Sequence, residues 1–182
     1  MARTRSSSCK APLRGPKQLP SATLGKRSRA VFTYDPDLLE AIPFGVGRTF
    51  ATSNTWVSDN CLRFTSLCPV TGQPDWADLF INFIPAAHLI ESKSLKEYLH
   101  GFRMHGGFHE DVCRVICDDL ARCMQPRYLE IIGHFDSRGS IAIWPFVQYA
   151  NPGDAAAEQI LQHRLLNYTP GKYAPDAYGR NI

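Results

Sequence analysis

Long apolar segments are missing from this 182-residue sequence, as are C-x-x-C pairs. No window approaches roughly 18 uninterrupted apolar residues, and the N-terminus lacks the apolar core of a secretion signal. We therefore expect a protein that neither spans a membrane nor is exported. The six cysteines then indicate free thiols in a reducing compartment, which predicts a cytoplasmic location.

Acidic residues are absent from the first 30 positions. This segment contains eight of the 20 Lys and Arg and none of the 17 Asp and Glu, so the remainder has 12 basic against 17 acidic residues. Its prolines and serines, with few large apolar residues, predict a disordered extension at 1–30 before a single domain at 31–182. A basic tail also binds phosphates, which leaves a nucleic-acid-binding module as an alternative, although the acidic remainder argues against extensive contact.

The periodicity of the domain predicts an α+β fold. Residues 55–64 and 76–84 are typical of strands, with Asp78 and Asn82 on one face of the second and apolar residues on the other. Two helices, two further strands and a short C-terminal helix follow, at 94–102, 109–124, 128–135, 140–147 and 155–166.

This order, ββααββ, favours an antiparallel four-stranded sheet with two helices on one face. We expect residues 136–139 to form the loop of the second hairpin, because Gly139 suits its end. The sheet would have open edges, and a ring-shaped oligomer is one way to cover them.

Cys68 lies in a loop at 68–75 that is rich in proline and glycine, directly after the first strand. Such a loop holds a side chain rigidly at a surface, which suits a nucleophile. A cysteine attacks as the thiolate and needs a neighbour that handles charge or protons, and Asp75 can return toward it. The residues alone leave open that Cys68 is a small buried hydrophobe and Asp75 a turn cap.

The segment 108–111 places Phe108, His109 and Glu110 where the second helix begins. An aromatic face can stack on a flat ring while a carboxylate accepts hydrogen bonds from its N–H groups. An ordinary acidic first turn is the alternative. His109 also repeats with Cys113 and Cys117 on one helical face, but the spacing is loose for zinc and we expect no metal site.

Residues 91–96 (ESKSLK) place two lysines and two hydroxyls where the first helix begins, which suits phosphate binding. Ser94 and Glu97 also fit a plain capping box. No Rossmann or P-loop glycine motif is present, so a dinucleotide would bind without such a cradle.

Three segments together resemble the QueF-type 7-cyano-7-deazaguanine reductases, the NADPH-dependent nitrile reductases of the queuosine pathway. They are 64–75, which contains FTSLCP and GQPD; 91–98, ESKSLKEY; and 108–111, FHED. The similarity extends from about residue 34 to the C-terminal region, and residues 1–30 lie outside it.

The resemblance implies a tunnelling fold (T-fold), a ring-shaped homo-oligomer with sites at subunit interfaces, and two NADPH per nitrile reduced to an aminomethyl group. It implies that Cys68 forms a covalent thioimide and that Asp75 donates a proton. The implied substrate-binding residues are Ile90, Glu91, Ser92, Phe108, His109 and Glu110. For the cofactor phosphates, charge and location point to Lys93, Lys96 and Arg138.

A zinc-dependent T-fold cyclohydrolase acting on a purine-like or pterin-like substrate is the leading alternative from another class of enzyme.

Overall fold

The computed structural model describes residues 32–45 and 55–168. The predicted disordered extension at 1–30 lies outside the described residues, and so does its boundary with the domain. No helix in the described part of the chain is long and apolar enough to cross a membrane.

In the described residues, six strands form two antiparallel sheets. They are β1 (Ala41–Pro43), β2 (Val57–Leu67), β3 (Pro74–Ile84), β4 (His88–Ile90), β5 (Tyr128–Phe135) and β6 (Phe146–Ala150). The main sheet has the order β2-β3-β5-β6, and β1 pairs with β4 in a small second sheet that the sequence analysis did not predict. The predicted antiparallel four-stranded sheet is therefore confirmed, with β2 and β6 at its edges.

Three helices accompany the sheet: α1 (Ser92–Gly101), α2 (His109–Met124) and α3 (Ala155–Asn167). The first two pack on one face, where their apolar stripes meet alternate residues of β3 and β5 such as Leu79, Ile81 and Ile131, all fully buried. This confirms the predicted arrangement of two helices on one face. The third helix packs against Ile84 and Tyr128 through Ala157, on the opposite face.

Under α3 the sheet buries a polar network centred on Glu130. Arg164 of α3 donates two hydrogen bonds to its carboxylate, at 2.8 and 2.6 Å. Asn82 donates to the same carboxylate at 2.9 Å and accepts from Ser58 at 2.7 Å. Asn82 lies on the predicted polar face of the strand, and that face is buried at this position.

Two local predictions are wrong. The strand expected at 140–147 begins only at Phe146, because Ser140 has a positive φ of 68° and Pro145 has no N–H to donate to a ladder. Residues 136–145 form a long loop instead. The capping box of Ser94 is also wrong, since Glu91 caps α1 by accepting from the N–H groups of Lys93 and Ser94 at 2.9 and 2.7 Å.

We predict that Arg164→Leu destabilises the protein by about 3–5 kcal/mol, because it leaves the fully buried Glu130 carboxylate without its countercharge. Urea unfolding measures the loss. Arg114→Leu is the matched control: Arg114 is exposed on α2 and pairs only with exposed acids, so its loss should cost less than about 1 kcal/mol. Equal losses for the two variants would contradict the structural role of the network.

Candidate active site

Cys68 occupies the loop of the β2–β3 hairpin. Its N–H donates to the carbonyl of Gln73 at 2.8 Å, and its carbonyl accepts from the N–H of Gly72 at 2.9 Å. Gly72 has a φ of 66°, a conformation that glycine adopts without strain. The two hydrogen bonds close the loop tightly, so the thiol is held at the end of the sheet with only 6% of the residue exposed.

Asp75 is the second residue of β3 and lies opposite Ser66 of β2 in the register. Its carboxylate is buried between two cationic or potentially cationic groups. Arg138 Nε lies 3.0 Å from Oδ1, and His109 Nε2 lies 3.2 Å from Oδ2. Three separate parts of the chain, β3, the start of α2 and the loop after β5, therefore meet at one carboxylate.

Phe135, the last residue of β5, packs against one face of the His109 imidazole. The two rings stack with centroids 3.9 Å apart and planes 7° apart. Both residues are buried, at 6% and 2% exposure. The edge of the imidazole is therefore directed at Asp75 by packing against the sheet and not by a hydrogen bond of its own.

The surroundings of Cys68 favour its ionised form. The pKa of the thiol is lowered from 9.0 to about 6, mainly by hydrogen bonds from the side chains of Thr71 and Arg138, and further by the backbone of Thr71 and Val70. A thiolate is the nucleophilic form of cysteine. At neutral pH this side chain is consequently able to attack an electrophile without a separate base.

Several buried polar atoms around Asp75 have no hydrogen-bond partner of suitable geometry among the described residues. They are Ser66 Oγ, both Asp75 carboxylate oxygens and both ring nitrogens of His109. His109 and Arg138 approach the carboxylate at ion-pair distance but without the angles of a hydrogen bond. Buried polar groups are normally paired, so this cluster has the character of a site that binds a polar ligand.

The predicted substrate-binding residues divide into two groups. His109 is in the cluster, and Phe108 and Glu110 flank it at the start of α2, where both are exposed. Ile90 is buried at the end of β4, Glu91 caps α1, and Ser92 is exposed. In residues 55–168, no hydrogen bond, ion pair or ring contact joins this second group to Cys68 or Asp75.

The predicted cofactor-binding residues are also separated. Arg138 lies at Asp75 and Cys68, whereas Lys93 is exposed on α1, 4.0 Å from Glu97. Lys96 lines a cleft of about 430 Å³ between β2 and α1. Arg63, His100 and Arg103 line the same cleft, together with one acidic residue, Asp59. Its positive charge suits the phosphates of a dinucleotide.

Metal ligands do not come together in the part of the chain that is described: it contains no group of three or more His, Cys, Asp or Glu arranged to hold an ion. The helical series His109, Cys113 and Cys117 is divided, because His109 faces Asp75 whereas both cysteines are buried in the core. Burial raises the pKa of each thiol to about 12.

Three residues at the site were missed by the sequence analysis: Ser66, Thr71 and Phe135. Ser66 lies two positions before Cys68. Side chains two positions apart along a strand point to the same face, so this spacing could have identified Ser66 as a neighbour of Cys68. Thr71 lies inside the loop that was already singled out. Nothing local marks Phe135, because its role depends on a helix that begins 26 residues before it in the chain.

Several curated proteins match most of the chain. A family model described as a QueF-like protein matches residues 74–154. The NADPH-dependent 7-cyano-7-deazaguanine reductase of Bdellovibrio bacteriovorus is 44% identical over 166 residues, which cover 88% of this chain and 92% of that protein. Reductases of the same name from Bacteroides thetaiotaomicron and Porphyromonas gingivalis are 45% and 48% identical, over 79% and 76% of this chain and 92% and 86% of their own.

Among solved structures, the apo form of the archaeosine synthase QueF-Like aligns with a TM-score of 0.49 and 15% identity, over 53% of this chain and 95% of that one.

The curated reductases match this chain at well above 30% identity, over more than two thirds of each protein. The chain therefore belongs to the QueF family.

Proposed function

We propose that this protein reduces the nitrile of 7-cyano-7-deazaguanine to an aminomethyl group with two NADPH, in queuosine biosynthesis. The observation that carries the proposal is a cysteine with a pKa of about 6 beside a buried carboxylate, in a chain 44–48% identical to reductases of that name. The family also favours this reaction over a zinc-dependent cyclohydrolase, for which no ligand cluster is present in the described residues.

The first step uses the sulfur of Cys68. Its thiolate adds to the nitrile carbon, one π pair of the C≡N bond moves onto nitrogen, and nitrogen takes a proton, which gives a thioimide. No atom leaves in this addition. A nitrile accepts hydride poorly, and the thioimide is a better acceptor.

Asp75 delivers the proton to the nitrile nitrogen. For this step the Asp75 carboxyl group carries a proton; it stands on the strand that follows the Cys68 loop, and transfer requires a donor within hydrogen-bond reach of the nitrogen. His109 Nε2 lies 3.2 Å from the other carboxylate oxygen, which allows the imidazole to return a proton to Asp75. The pair therefore supports both protonation events at the substrate nitrogen.

NADPH supplies the two hydrides when bound. After the first, the tetrahedral carbon expels the Cys68 thiolate and leaves an imine, which the second hydride reduces to the amine. The lowered pKa of Cys68 helps at this point too, because a stable thiolate is a good leaving group. Lys93, Lys96 and Arg138 are proposed to hold the cofactor phosphates, with the basic cleft around Lys96 as support.

The deazaguanine ring is proposed to bind at the start of α2. Phe108, 55% exposed, is available to stack on the ring, while Glu110 and His109 accept or donate hydrogen bonds at its edge. Ile90, Glu91 and Ser92 complete the pocket in this proposal. The Glu91 carboxylate already caps α1, which lowers its pKa and keeps it ionised for N–H donors.

The proposed assembly is a T-fold homo-oligomer, a ring with active sites at subunit interfaces. Two observations support it. The outer strands β2 and β6 each pair on one side only within the described residues. No hydrogen bond, ion pair or ring contact among the described residues joins Ile90, Glu91 or Ser92 to Cys68, and in this proposal a second subunit brings the two parts of the site together. A single catalytic domain at 31–182, an incidental basic extension at 1–30 and a cytoplasmic location belong to the same proposal.

We expect Cys68→Ala to abolish covalent capture of the nitrile. The wild-type protein, mixed with 7-cyano-7-deazaguanine without NADPH, should gain the mass of one whole substrate per reactive subunit, because the addition releases nothing. Intact-mass spectrometry measures the gain, and a new absorbance band of the thioimide should accompany it. Cys61→Ala is the control, since burial raises the pKa of Cys61 to about 12 and it should not react. An adduct of the same mass in Cys68→Ala would exclude this mechanism.

Asp75→Asn should lower the rate of nitrile-dependent NADPH oxidation by about 10²–10⁴, since the amide cannot donate a carboxylic proton. Steady-state kinetics measure the rate, and circular dichroism checks folding. Asp118→Asn removes an exposed carboxylate on α2 and should leave the rate unchanged. Wild-type turnover in Asp75→Asn would remove Asp75 from the chemistry.

A further inference from the structure

Ser66 is a buried polar residue to which the proposed mechanism gives no role. It is on β2, close to Cys68 in the chain, and it is 0% exposed. Its hydroxyl oxygen has no hydrogen-bond partner among the described residues. An unpaired hydroxyl inside a protein lowers the stability of the fold, and such groups are uncommon. A buried unpaired hydroxyl next to a nucleophile therefore points to a partner that it gains during the reaction.

The backbone holds Ser66 beside Asp75. The two residues are opposite each other in the register of β2 and β3. Leu67 uses its backbone on the side away from β3: its N–H donates to the carbonyl of His105 at 3.0 Å, and its carbonyl accepts from the N–H of Gly107 at 3.0 Å. Because the backbone groups of successive residues in a strand point to alternate sides, those of Ser66 point toward β3. Ser66 and Asp75 are thus a hydrogen-bonded pair, with Cα atoms about 5.5 Å apart.

The side chains of this pair share one face of the sheet. Residues directly opposite each other in an antiparallel ladder have Cβ atoms about 4.5–5.5 Å apart on the same face. The next pair on this face consists of Phe64 and Ala77, which both belong to the hydrophobic core. The Ser66 hydroxyl therefore has apolar neighbours on one side along the strands. Its polar neighbours, Asp75 and Cys68, are on the other side.

The partners that Asp75 already has do not make the hydroxyl redundant. Arg138 Nε lies 3.0 Å from one carboxylate oxygen, and His109 Nε2 lies 3.2 Å from the other. Neither contact has the angles of a hydrogen bond, so both oxygens still lack a donor within the described part of the chain. Arg138 also comes from a loop, is 39% exposed and is proposed to hold a cofactor phosphate. Ser66 is fixed on a strand and stays beside the carboxyl group when the arginine moves away.

We propose that Ser66 is a positioning residue for the proton donor Asp75. This inference rests on the proposed function, in which the Asp75 carboxyl group gives its proton to the substrate nitrogen and becomes a carboxylate. The new carboxylate carries a negative charge and needs a donor. A serine hydroxyl has one O–H and turns about a single χ1 bond, so it donates to the carboxylate as the charge forms. The hydrogen bond favours the transfer and fixes the orientation of the carboxyl group.

Ser66→Ala in the full-length protein tests the proposal. We expect the kcat of nitrile-dependent NADPH oxidation to fall by about 10- to 100-fold with little change in the KM for the nitrile, because the donor loses its orientation. The urea midpoint should equal or exceed that of the wild type, since an apolar side chain replaces an unpaired buried hydroxyl. Ser58→Ala on the same strand is the matched control for stability. The Ser58 hydroxyl donates to Asn82 Oδ1 at 2.7 Å, so this variant should have a lower urea midpoint.

A double-mutant cycle shows whether Ser66 acts through Asp75. Ser66→Ala should lower kcat in the wild-type background and have almost no further effect in Asp75→Asn, because the proton donor is then already absent. Single-turnover NADPH oxidation measures the slow variants. Effects that multiply would mean that the hydroxyl acts on another group, such as the Cys68 sulfur or the substrate, and would overturn the proposal.

The failure of this inference differs from the failure of the proposed function. Wild-type kcat in Ser66→Ala would overturn the inference and leave nitrile reduction in place. A lower kcat together with a urea midpoint as low as that of Ser58→Ala would also overturn it, since the hydroxyl would then be structural. A wild-type protein that oxidises no NADPH in the presence of the nitrile would instead refute the proposed function, and the inference with it.

Discussion

A carboxylate taken out of water needs compensation from nearby charges or donors, and the candidate site is organised around this need at Asp75. The chain places Asp75 at the start of β3, His109 at the first position of α2 and Arg138 in the loop that follows β5 at the same end of the sheet. Each of these three residues is positioned by a different element of the fold. The side chains of His109 and Arg138 thus reach the carboxylate only when the hairpin, the helix and the loop are all in place, and the hairpin also holds Cys68 at this end of the sheet.

The two faces of the sheet contribute differently to this condition. On the side of α1 and α2 most contacts are apolar, with one buried hydrogen bond from Tyr98 to Asp119, and they position α2 so that His109 stacks on Phe135. On the other side, Glu130 and Arg164 bury a bidentate ion pair that ties α3 to the centre of the sheet. Such pairs specify an arrangement more than they stabilise it, since desolvation offsets most of their attraction. Both faces hold β3 and β5 in register, and these strands carry Asp75 and Phe135.

Local chemistry explains which parts could be predicted from the sequence. The limits of α2 follow from acidic residues in its first turn and from Pro126 just beyond it, and the Cys68 loop follows from its prolines and glycine. The start of β6 and the cap of α1 were missed because each depends on a choice between two plausible local patterns. The strand pattern at 140–147 contains Pro145, which has no N–H for a ladder, and Ser94 with Glu97 fits a capping box as well as Glu91 fits the cap that the structure shows. The convergence on Asp75 requires the three-dimensional fold, so His109 and Arg138 were singled out from sequence but assigned to the ring and to phosphates, not to this carboxylate.

The same fold gives one cysteine a lowered thiol pKa and raises the pKa of several others. Cys113 and Cys117 lie on the apolar face of α2, where burial without a donor raises the pKa of each thiol to about 12. Cys68 is almost as well hidden from solvent, but hydrogen bonding by Thr71 and Arg138 lowers the pKa of its thiol to about 6. Burial alone therefore does not decide reactivity here. What decides it is whether the residues that bury the sulfur can donate hydrogen bonds to it, and in this chain a short turn after β2 and an arginine from a distant loop provide them.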